Sequence, residues 1–299
     1  GKGLKNPGRS LGKILVILQF GISVAIITAT GVVLMQLHFL RNHELGFDKE
    51  NVVSLSFPAG DTALAYKVDA MRNELKKDPS ILGFATGYHV PGKKTGRILF
   101  YYSFHGKQEN QPINMSFADY DYASLLGLKV VQGRWFSRDF GTDPQNAYVI
   151  NESCARFLGL KDPIGKELES AFLKGRIIGV VKDYNYASLH AAIEPMVFML
   201  PGIPGSPGTG TNALIRFREG QSKEVMKSVE QVWKNLFPNH PVNYFFLNES
   251  LDQLYRKEEI MVTVLSYFAV LTVVISCLGL FALAAFSTEK RTKEIGIRK

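Results

Sequence analysis

The stretch ILVILQFGISVAIITATGVVLMQL, residues 14–37, contains no charged side chain over 24 consecutive positions. A second charge-free run covers residues 260–288. An α-helix needs roughly 20 apolar residues to cross the hydrocarbon core of a bilayer. Both runs are therefore predicted to be transmembrane helices, with a long polar region between them.

Two other interpretations of the first run are a secretory signal peptide and a buried core helix. Lys2, Lys5, Arg9 and Lys13 precede it, as basic residues precede a signal peptide. However, the apolar run is about twice as long as the apolar h-region of a usual signal peptide, and no small-x-small cleavage site closes it. We therefore favour a membrane span.

The net charge is concentrated beside these two runs. Residues 1–13, a basic flank, contribute +4, and residues 289–299 contribute +3, so only +1 of the formal +8 remains for the rest of the chain. Basic flanks favour the cytoplasmic side of a membrane. Both ends are thus predicted to be cytoplasmic and the central region extracytoplasmic, and the basic composition does not indicate nucleic-acid binding.

The central region shows both strand and helix patterns. A strand-like segment at 51–57 precedes an amphipathic helix at 62–78, and a second amphipathic helix is predicted at 221–237. These patterns predict an α+β fold carried on two transmembrane α-helices. We assign residues 14–46 to the first span and its external extension. Residues 47–92 and 170–247 are predicted to form a βαβ-rich, porter-like part, and residues 93–169 an inserted strand-rich subdomain. Residues 248–288 are assigned to a stalk helix capped by Asn248 and the second span, and residues 289–299 to a cytoplasmic segment.

No catalytic, cofactor-binding or metal-binding residue is predicted. GYHVPGKK, residues 87–94, has the glycine and lysine spacing of a P-loop, but Lys94 occupies the Ser/Thr position and a strand-like run follows. The six histidines lack zinc-ligand spacing. Asp183, Ser188 and His190 lie near one another without a nucleophile elbow. Cys154 and Cys277 are predicted to be unpaired, since Cys277 lies in a span.

Two segments suggest contacts with other helices. Gly21, Ala25 and Ala29 recur at every fourth position of the first span and form a smooth stripe suited to helix packing. The terminal KRTKEIGIRK, residues 290–299, alternates charged and aliphatic residues. From its residues alone, it is either a basic stop-transfer flank or a short amphipathic element.

The chain resembles the FtsX-like, MacB-type permeases of ABC transporters. The similarity lies in EKRTKEIGIRK after SCLGLFALAAFSTE, and in LVILQFGISVAIIT, LGFDKENVV, GRWFS, VINES, LGLKDPIGK, IIGVVKDYNYASLH and LDQLYRKEE, which occur in the family's order along nearly the whole chain. Each motif alone is weak, but their common order is specific. The chain resembles a fragment of a longer permease of four or eight spans.

The resemblance implies a function for the terminal segment. It would begin the cytoplasmic coupling helix that docks on an ABC ATPase subunit, with apolar contacts from Ile295 and Ile297, close approach at Gly296, and polar contacts from Arg291, Lys293, Glu294 and Arg298. ATP hydrolysis would take place in that separate subunit, with no cofactor bound by this chain. The implied partners are the ATPase, a second permease half or protomer, and membrane lipid.

The implied activity is mechanotransmission in the inner membrane, for export or envelope release of a substrate. A lipoprotein, peptide, lipid or drug would each be compatible with the scaffold. The alternative from another class is the extracytoplasmic sensor region of a two-span receptor, which has the same order of span, domain and span. A receptor would continue into a cytoplasmic signalling helix, whereas a permease would re-enter the membrane.

Overall fold

The computed structural model describes residues 7–42, 45–61, 63–93, 95–104, 108–186, 192–202, 211–254 and 256–297. The chain divides into a helix-pair unit, Gly1–His43 with Tyr255–Lys299, and a central unit, Glu44–Leu254. The helices are α1 (Pro7–Asn42), α2 (Leu64–Leu75), α3 (Tyr122–Leu126), α4 (Asp143–Asn146), α5 (Glu152–Phe157), α6 (Ser222–Leu236), α7 (Leu247–Leu254) and α8 (Arg256–Ile297). The strands are β1 (Val52–Ser56), β2 (Ile81–Gly87), β3 (Gly96–Tyr102), β4 (Glu109–Phe117), β5 (Val130–Gly133), β6 (Ala147–Asn151), β7 (Glu167–Ser170), β8 (Lys174–Val181), β9 (Met196–Met199), β10 (Asn212–Phe217) and β11 (Asn243–Phe246).

The first sheet of the central unit has four antiparallel strands in the order β11-β1-β10-β2. In the chain they form two split units, β1-α2-β2 and β10-α6-β11, each with a strand of the other unit between its own two strands. Helices α2 and α6 cover one face, where Met71 and Trp233 pack with Val53 and Leu55 of β1. The predicted strand-helix start and the second amphipathic helix are thus confirmed.

The second sheet closes into a ring. Its order is β5-β8-β6-β9-β4-β3-β7, and β7 also pairs with β8, so six strands surround a common interior while β5 extends the rim. Phe100, Phe117, Tyr148, Ile177 and Val197 fill that interior. Closure leaves fewer unpaired strand edges, and unpaired edges are sites of aggregation through strand pairing.

A third core cluster joins the two sheets. Val52, Ala85 and Leu214 from the four-stranded sheet pack with Tyr122 and Phe198 from the inserted part. The four-stranded sheet is therefore covered on both faces, by α2 and α6 on one side and by the inserted part, including α3, on the other.

The boundary of the inserted part differs from the prediction. We expected residues 170–247 to belong to the βαβ-rich part, but β8 and β9 are strands of the seven-stranded sheet. The insertion thus runs from the end of β2 to the start of β10, and only the segments before and after it build the four-stranded sheet. The expectation failed because sheet membership depends on long-range pairing, such as that of β8 with β6.

The helix boundaries also differ slightly from the sequence-based ones. Helix α7 begins at Leu247, so Asn248, predicted as its N-cap, lies inside the first turn, where its Oδ1 accepts a hydrogen bond from the Glu249 amide at 2.9 Å. Helix α1 ends at Asn42, and residues 43 and 44 lie outside the described residues, as does Tyr255 between α7 and α8. The sequence predicts one unbroken helix across residues 248–288, and its continuity at residue 255 stays a prediction.

Candidate functional site in the apolar helix pair

Helices α1 and α8 each contain a stretch long and apolar enough to span a bilayer. These are Ile17–Gln36, with mean hydropathy 2.1, and Glu259–Ala282, with mean hydropathy 2.4. Only 11% and 6% of these stretches are buried within the chain. A core helix of a soluble protein buries a continuous apolar stripe, so this exposure argues against the core-helix alternative.

The two helices contact each other through polar and small residues. The hydroxyl oxygens of Ser23 and Ser276 lie 2.8 Å apart and are buried. One turn away, a Cβ built on Gly279 would lie 3.1 Å from Gln19 Oε1, so the Gln19 amide rests on this glycine. Gln19 precedes Ser23 while Gly279 follows Ser276, so the helices run antiparallel. We call these four residues the polar seam.

The predicted packing stripe lies on a different face of α1. Gly21, Ala25 and Ala29 are all exposed, and a Cβ on Gly21 would meet nothing within 4 Å. Gly21 and Ser23 are two positions apart, which is about 200° around a helix. Within the described residues, α8 therefore contacts the face of α1 that carries Gln19 and Ser23, and not the face that carries the stripe.

The sequence analysis missed the polar seam, although a signal for it was present. Polar side chains in membrane spans usually face other protein segments and not lipid, because unsatisfied polar groups are costly in hydrocarbon. Gln19 and Ser23 at i and i+4, together with Ser276 in the second span, fit that rule. The glycine-alanine stripe fits a different rule for the same helix, and spacing alone does not choose between them.

The predicted coupling segment is the last part of α8. Arg291, Lys293, Glu294, Ile295, Gly296 and Ile297 continue the helix that contains the second apolar stretch, without a break in the backbone. The side chains of these residues and the whole of Arg298 lie outside the described residues. From Ala282 to Ile297 the helix extends about 22 Å beyond the apolar stretch, at 1.5 Å per residue.

A buried ion pair and a more exposed one connect the layers of the central unit. Arg72 on α2 donates to Asp119 at 2.7 Å and to Asp121 at 2.8 Å, and both aspartates follow β4 of the seven-stranded sheet. Asp119 also accepts from the Thr86 amide at the end of β2, at 2.9 Å. The Asp119 side chain is only 6% exposed, so these donors replace the water it loses on folding.

His89 is a buried imidazole beside the same junction. Its Nε2 lies 2.9 Å from the Lys93 carbonyl, which only accepts, so Nε2 carries the proton and donates. Nδ1 is then an acceptor, and it has no hydrogen-bond partner in the described residues. Burial lowers the pKa of His89 to about 4, because the charged form loses its hydration.

The candidate catalytic segments have structural functions where they are described. A strand, β3, follows the P-loop-like segment, so the helix N-terminus that would cradle a phosphate is replaced. Asp183 accepts hydrogen bonds from the amide and hydroxyl of Ser153 at 2.8 Å, at the start of α5, whereas Ser188 and His190 lie outside the described residues. Among the described residues, no group of three or more His, Cys, Asp or Glu is placed to hold a metal ion.

Comparison with known proteins assigns the chain to a family. The sequence profile of the MacB-like periplasmic core domain matches residues 15–232. The chain belongs to the MacB-like periplasmic core domain family. The match begins within the first apolar run and covers the seven-stranded sheet and three strands of the four-stranded sheet; it ends before β11.

Relatives of this MacB-like chain include named transport proteins. It is 26% identical over 186 residues to the "Macrolide export ATP-binding/permease protein MacB" of Aggregatibacter actinomycetemcomitans, covering 59% of this chain and 28% of that protein. It is 27% identical over 187 residues to "Macrolide export ATP-binding/permease protein MacB 2" of Aeromonas hydrophila, covering 60% and 28%. The chain thus spans little more than a quarter of the length of these relatives.

The MacB-like fold is also found among solved structures. The periplasmic region of MacB from Actinobacillus actinomycetemcomitans aligns with a TM-score of 0.51 at 15% identity, covering 69% of this chain and 93% of that one. At this identity the similarity concerns the fold. The family match and the two apolar helices support an inner-membrane protein with an extracytoplasmic domain, and the solved structure shows the mixed α/β fold of that domain. Family membership favours the permease interpretation over the two-span receptor.

Proposed function

We propose that this MacB-like chain is part of an FtsX-type permease that couples ATP hydrolysis to movement of its extracytoplasmic domain. The observation that carries the proposal is the form of α8, which runs as one helix from Arg256 through the apolar stretch to Ile297. A continuous helix satisfies its backbone hydrogen bonds internally even in lipid, so it can transmit a displacement along its axis. The family match over residues 15–232 supports the same function.

The ATPase is the first partner of the proposed machine. The names of the relatives contain both "ATP-binding" and "permease". The sequence analysis expected the ATPase in a separate nucleotide-binding subunit. The proposal requires only that an ATPase contacts the terminal segment of α8, with polar contacts from Arg291, Lys293, Glu294 and Arg298 and apolar contacts from Ile295 and Ile297 beside Gly296. This chain itself supplies no catalytic residue in the proposal.

Membrane lipid and a second permease half are the other proposed partners. Ile17, Met35, Tyr267 and Phe281 are each more than two thirds exposed, which is an unfavourable state for apolar side chains in water and a favourable one in lipid. The stripe of Gly21, Ala25 and Ala29 is left open by α8 and would contact a helix of the second half. Export is the part of the relatives' named activity that we carry over to this chain, and envelope release of a substrate is the alternative that the family resemblance implies.

A charge reversal in the terminal segment tests the proposal. In the full-length parent protein, reconstituted in lipid with its ATPase, we expect Glu294→Lys combined with Gly296→Leu to lower coupled ATP hydrolysis at least about tenfold, since a lost interfacial ion pair and a steric clash together exceed about 1.4 kcal/mol. Membrane insertion and thermal stability of the central unit should be unchanged.

The matched control is Glu289→Lys, which makes the same change of charge five residues earlier on the same helix. It should leave ATP hydrolysis within about twofold of the unchanged protein, because it lies outside the proposed contact. Full coupling in the Glu294→Lys/Gly296→Leu variant would exclude the terminal segment as the ATPase contact.

A further inference from the structure

The hydroxyl groups of the two apolar helices bond in two different ways. Most donate to a carbonyl one turn earlier in their own helix, at distances from 2.6 to 2.9 Å; among the described residues these are Ser23, Thr28, Thr30, Thr263, Ser266, Thr272 and Thr288. Ser276 instead bonds to Ser23 of the other helix. Such back-bonding is the usual way for a helix to satisfy a hydroxyl in lipid, so the arrangement at Ser276 requires the partner helix.

The direction of the bonds follows from counting protons. Ser23 Oγ donates to the Gln19 carbonyl at 2.7 Å, which uses its only proton. Ser276 Oγ is therefore the donor in the contact with Ser23 Oγ, 2.8 Å away. Ser23 is 4% exposed and Ser276 is 6% exposed, so neither hydroxyl can exchange this partner for water without separation of the helices.

Gly279 gives the seam a second point of contact. The Gln19 side chain occupies the space that a Cβ on Gly279 would approach to 3.1 Å. Gln19 and Ser23 are four positions apart in α1, so they lie on one face of that helix. Ser276 and Gly279 are three positions apart in α8, so they also share a face. Two successive contacts fix the rotation of the helices and their relative height.

We propose that the polar seam of Gln19, Ser23, Ser276 and Gly279 locks α1 and α8 into one rigid pair that moves as a unit during transport. The inference deepens the proposed function, because it states which helices do not slide past each other when the ATPase acts. Ser23 and Ser276 are positioning residues in this scheme: they hold α1 and α8 together and contact no substrate.

Cysteine crosslinking in membranes of the full-length protein tests the geometry. The background carries Cys277→Ala, because this native cysteine is adjacent to Ser276. The pairs Ser23→Cys/Ser276→Cys and Gln19→Cys/Gly279→Cys are oxidised with copper phenanthroline. We expect both to form disulfides at least about tenfold faster than the control pair Gly21→Cys/Ser276→Cys, since the Ser23 and Ser276 oxygens lie 2.8 Å apart and the Gln19 side chain contacts Gly279, whereas Gly21 lies on the opposite face of α1.

The rigid-pair proposal is then tested through the transport cycle. Crosslinking of both seam pairs should be equally fast without nucleotide, with ATP, and with ADP and vanadate, and the crosslinked protein should keep its ATPase activity. A rate that changes severalfold with nucleotide, or activity that is lost on oxidation and regained with dithiothreitol, would show that the helices slide. Fast crosslinking of the Gly21→Cys/Ser276→Cys control pair would show that α8 contacts the Gly21 face of α1, which would overturn the polar seam.

A further variant separates positioning by the serines from simple proximity. Ser276→Ala should slow the Gln19→Cys/Gly279→Cys crosslink about threefold, as expected for loss of one interhelical hydrogen bond in a membrane. Thr272→Ala, which removes a hydroxyl bonded to its own helix, should not change that rate. Equal rates in the two variants would contradict the positioning function of Ser276. Absence of coupled ATPase activity in the parent protein would overturn the proposed function. The crosslinking rates would still show whether α1 and α8 contact each other through the polar seam.

Discussion

At the scale of single residues, His89 makes the stability of the central unit depend on pH. Its pKa is lowered to about 4 by burial, whereas in the unfolded chain it is about 6.5. Below pH 6.5 the unfolded chain therefore binds a proton that the folded chain does not. We expect this residue to reduce the free energy of unfolding by about 2 kcal/mol between pH 6.5 and pH 5, with no effect above pH 7.

Denaturant unfolding followed by tryptophan fluorescence measures this effect in the whole chain. The two tryptophans, Trp135 and Trp233, both lie in the central unit, so the signal reports that unit and not the apolar helices. The control is His89→Gln, whose amide can still donate to the Lys93 carbonyl but does not titrate. The difference in slope between the two proteins isolates His89 from the other histidines, and identical slopes would refute the prediction.

At the scale of elements, β5 joins the rim of the ring through two facing glycines. Gly133 pairs with Gly179 of β8. A Cβ on Gly179 would overlap the Arg134 carbonyl, and Gly133 has a φ of +65°, in the left-handed region that favours glycine. The close approach of these two strands therefore requires glycine at both positions.

Gly179→Ala should separate β5 from β8 locally. We expect the free energy of unfolding to fall by roughly 1–3 kcal/mol, as for other overpacked sites. Gly141→Ala is the matched control, since a Cβ there meets nothing within 4 Å, and its effect should stay within about 0.5 kcal/mol. Urea unfolding of both variants provides the comparison, and equal stabilities would contradict the proposed clash.

Elements were predictable from the sequence where one periodicity dominates. The spacing of Val225, Val229 and Trp233 predicts α6, and these residues are buried in the structure. Sheet membership and packing faces were not predictable in the same way. The local pattern of β8 does not indicate which sheet it joins, and α1 carries two candidate stripes, so the choice depends on contacts distant in sequence.

At the scale of the whole molecule, the proposed membrane topology can be tested by labelling. Tyr66 is 78% exposed in the central unit, whereas Thr292 lies in the terminal segment of α8. In spheroplasts of cells with the full-length protein, a membrane-impermeant maleimide should label Tyr66→Cys at once and Thr292→Cys only after permeabilisation.

The native cysteines should contribute little background to this labelling. Cys154 is buried, and burial raises the pKa of its thiol, so little reactive thiolate forms. Cys277 lies within the apolar stretch of α8. The parent protein without introduced cysteines is the control, and labelling of Thr292→Cys in intact spheroplasts would reverse the topology.

The chain leaves the four-stranded sheet after Gly87 and re-enters it at Asn212, and these two residues face each other in the β2–β10 ladder. A short turn could connect antiparallel neighbours at this point as readily as the present insertion does. The register of the four-stranded sheet therefore does not depend on the size of the inserted segment. A gene encoding this fold could gain, enlarge or exchange the segment between β2 and β10 by one in-frame event, and retain the four-stranded sheet.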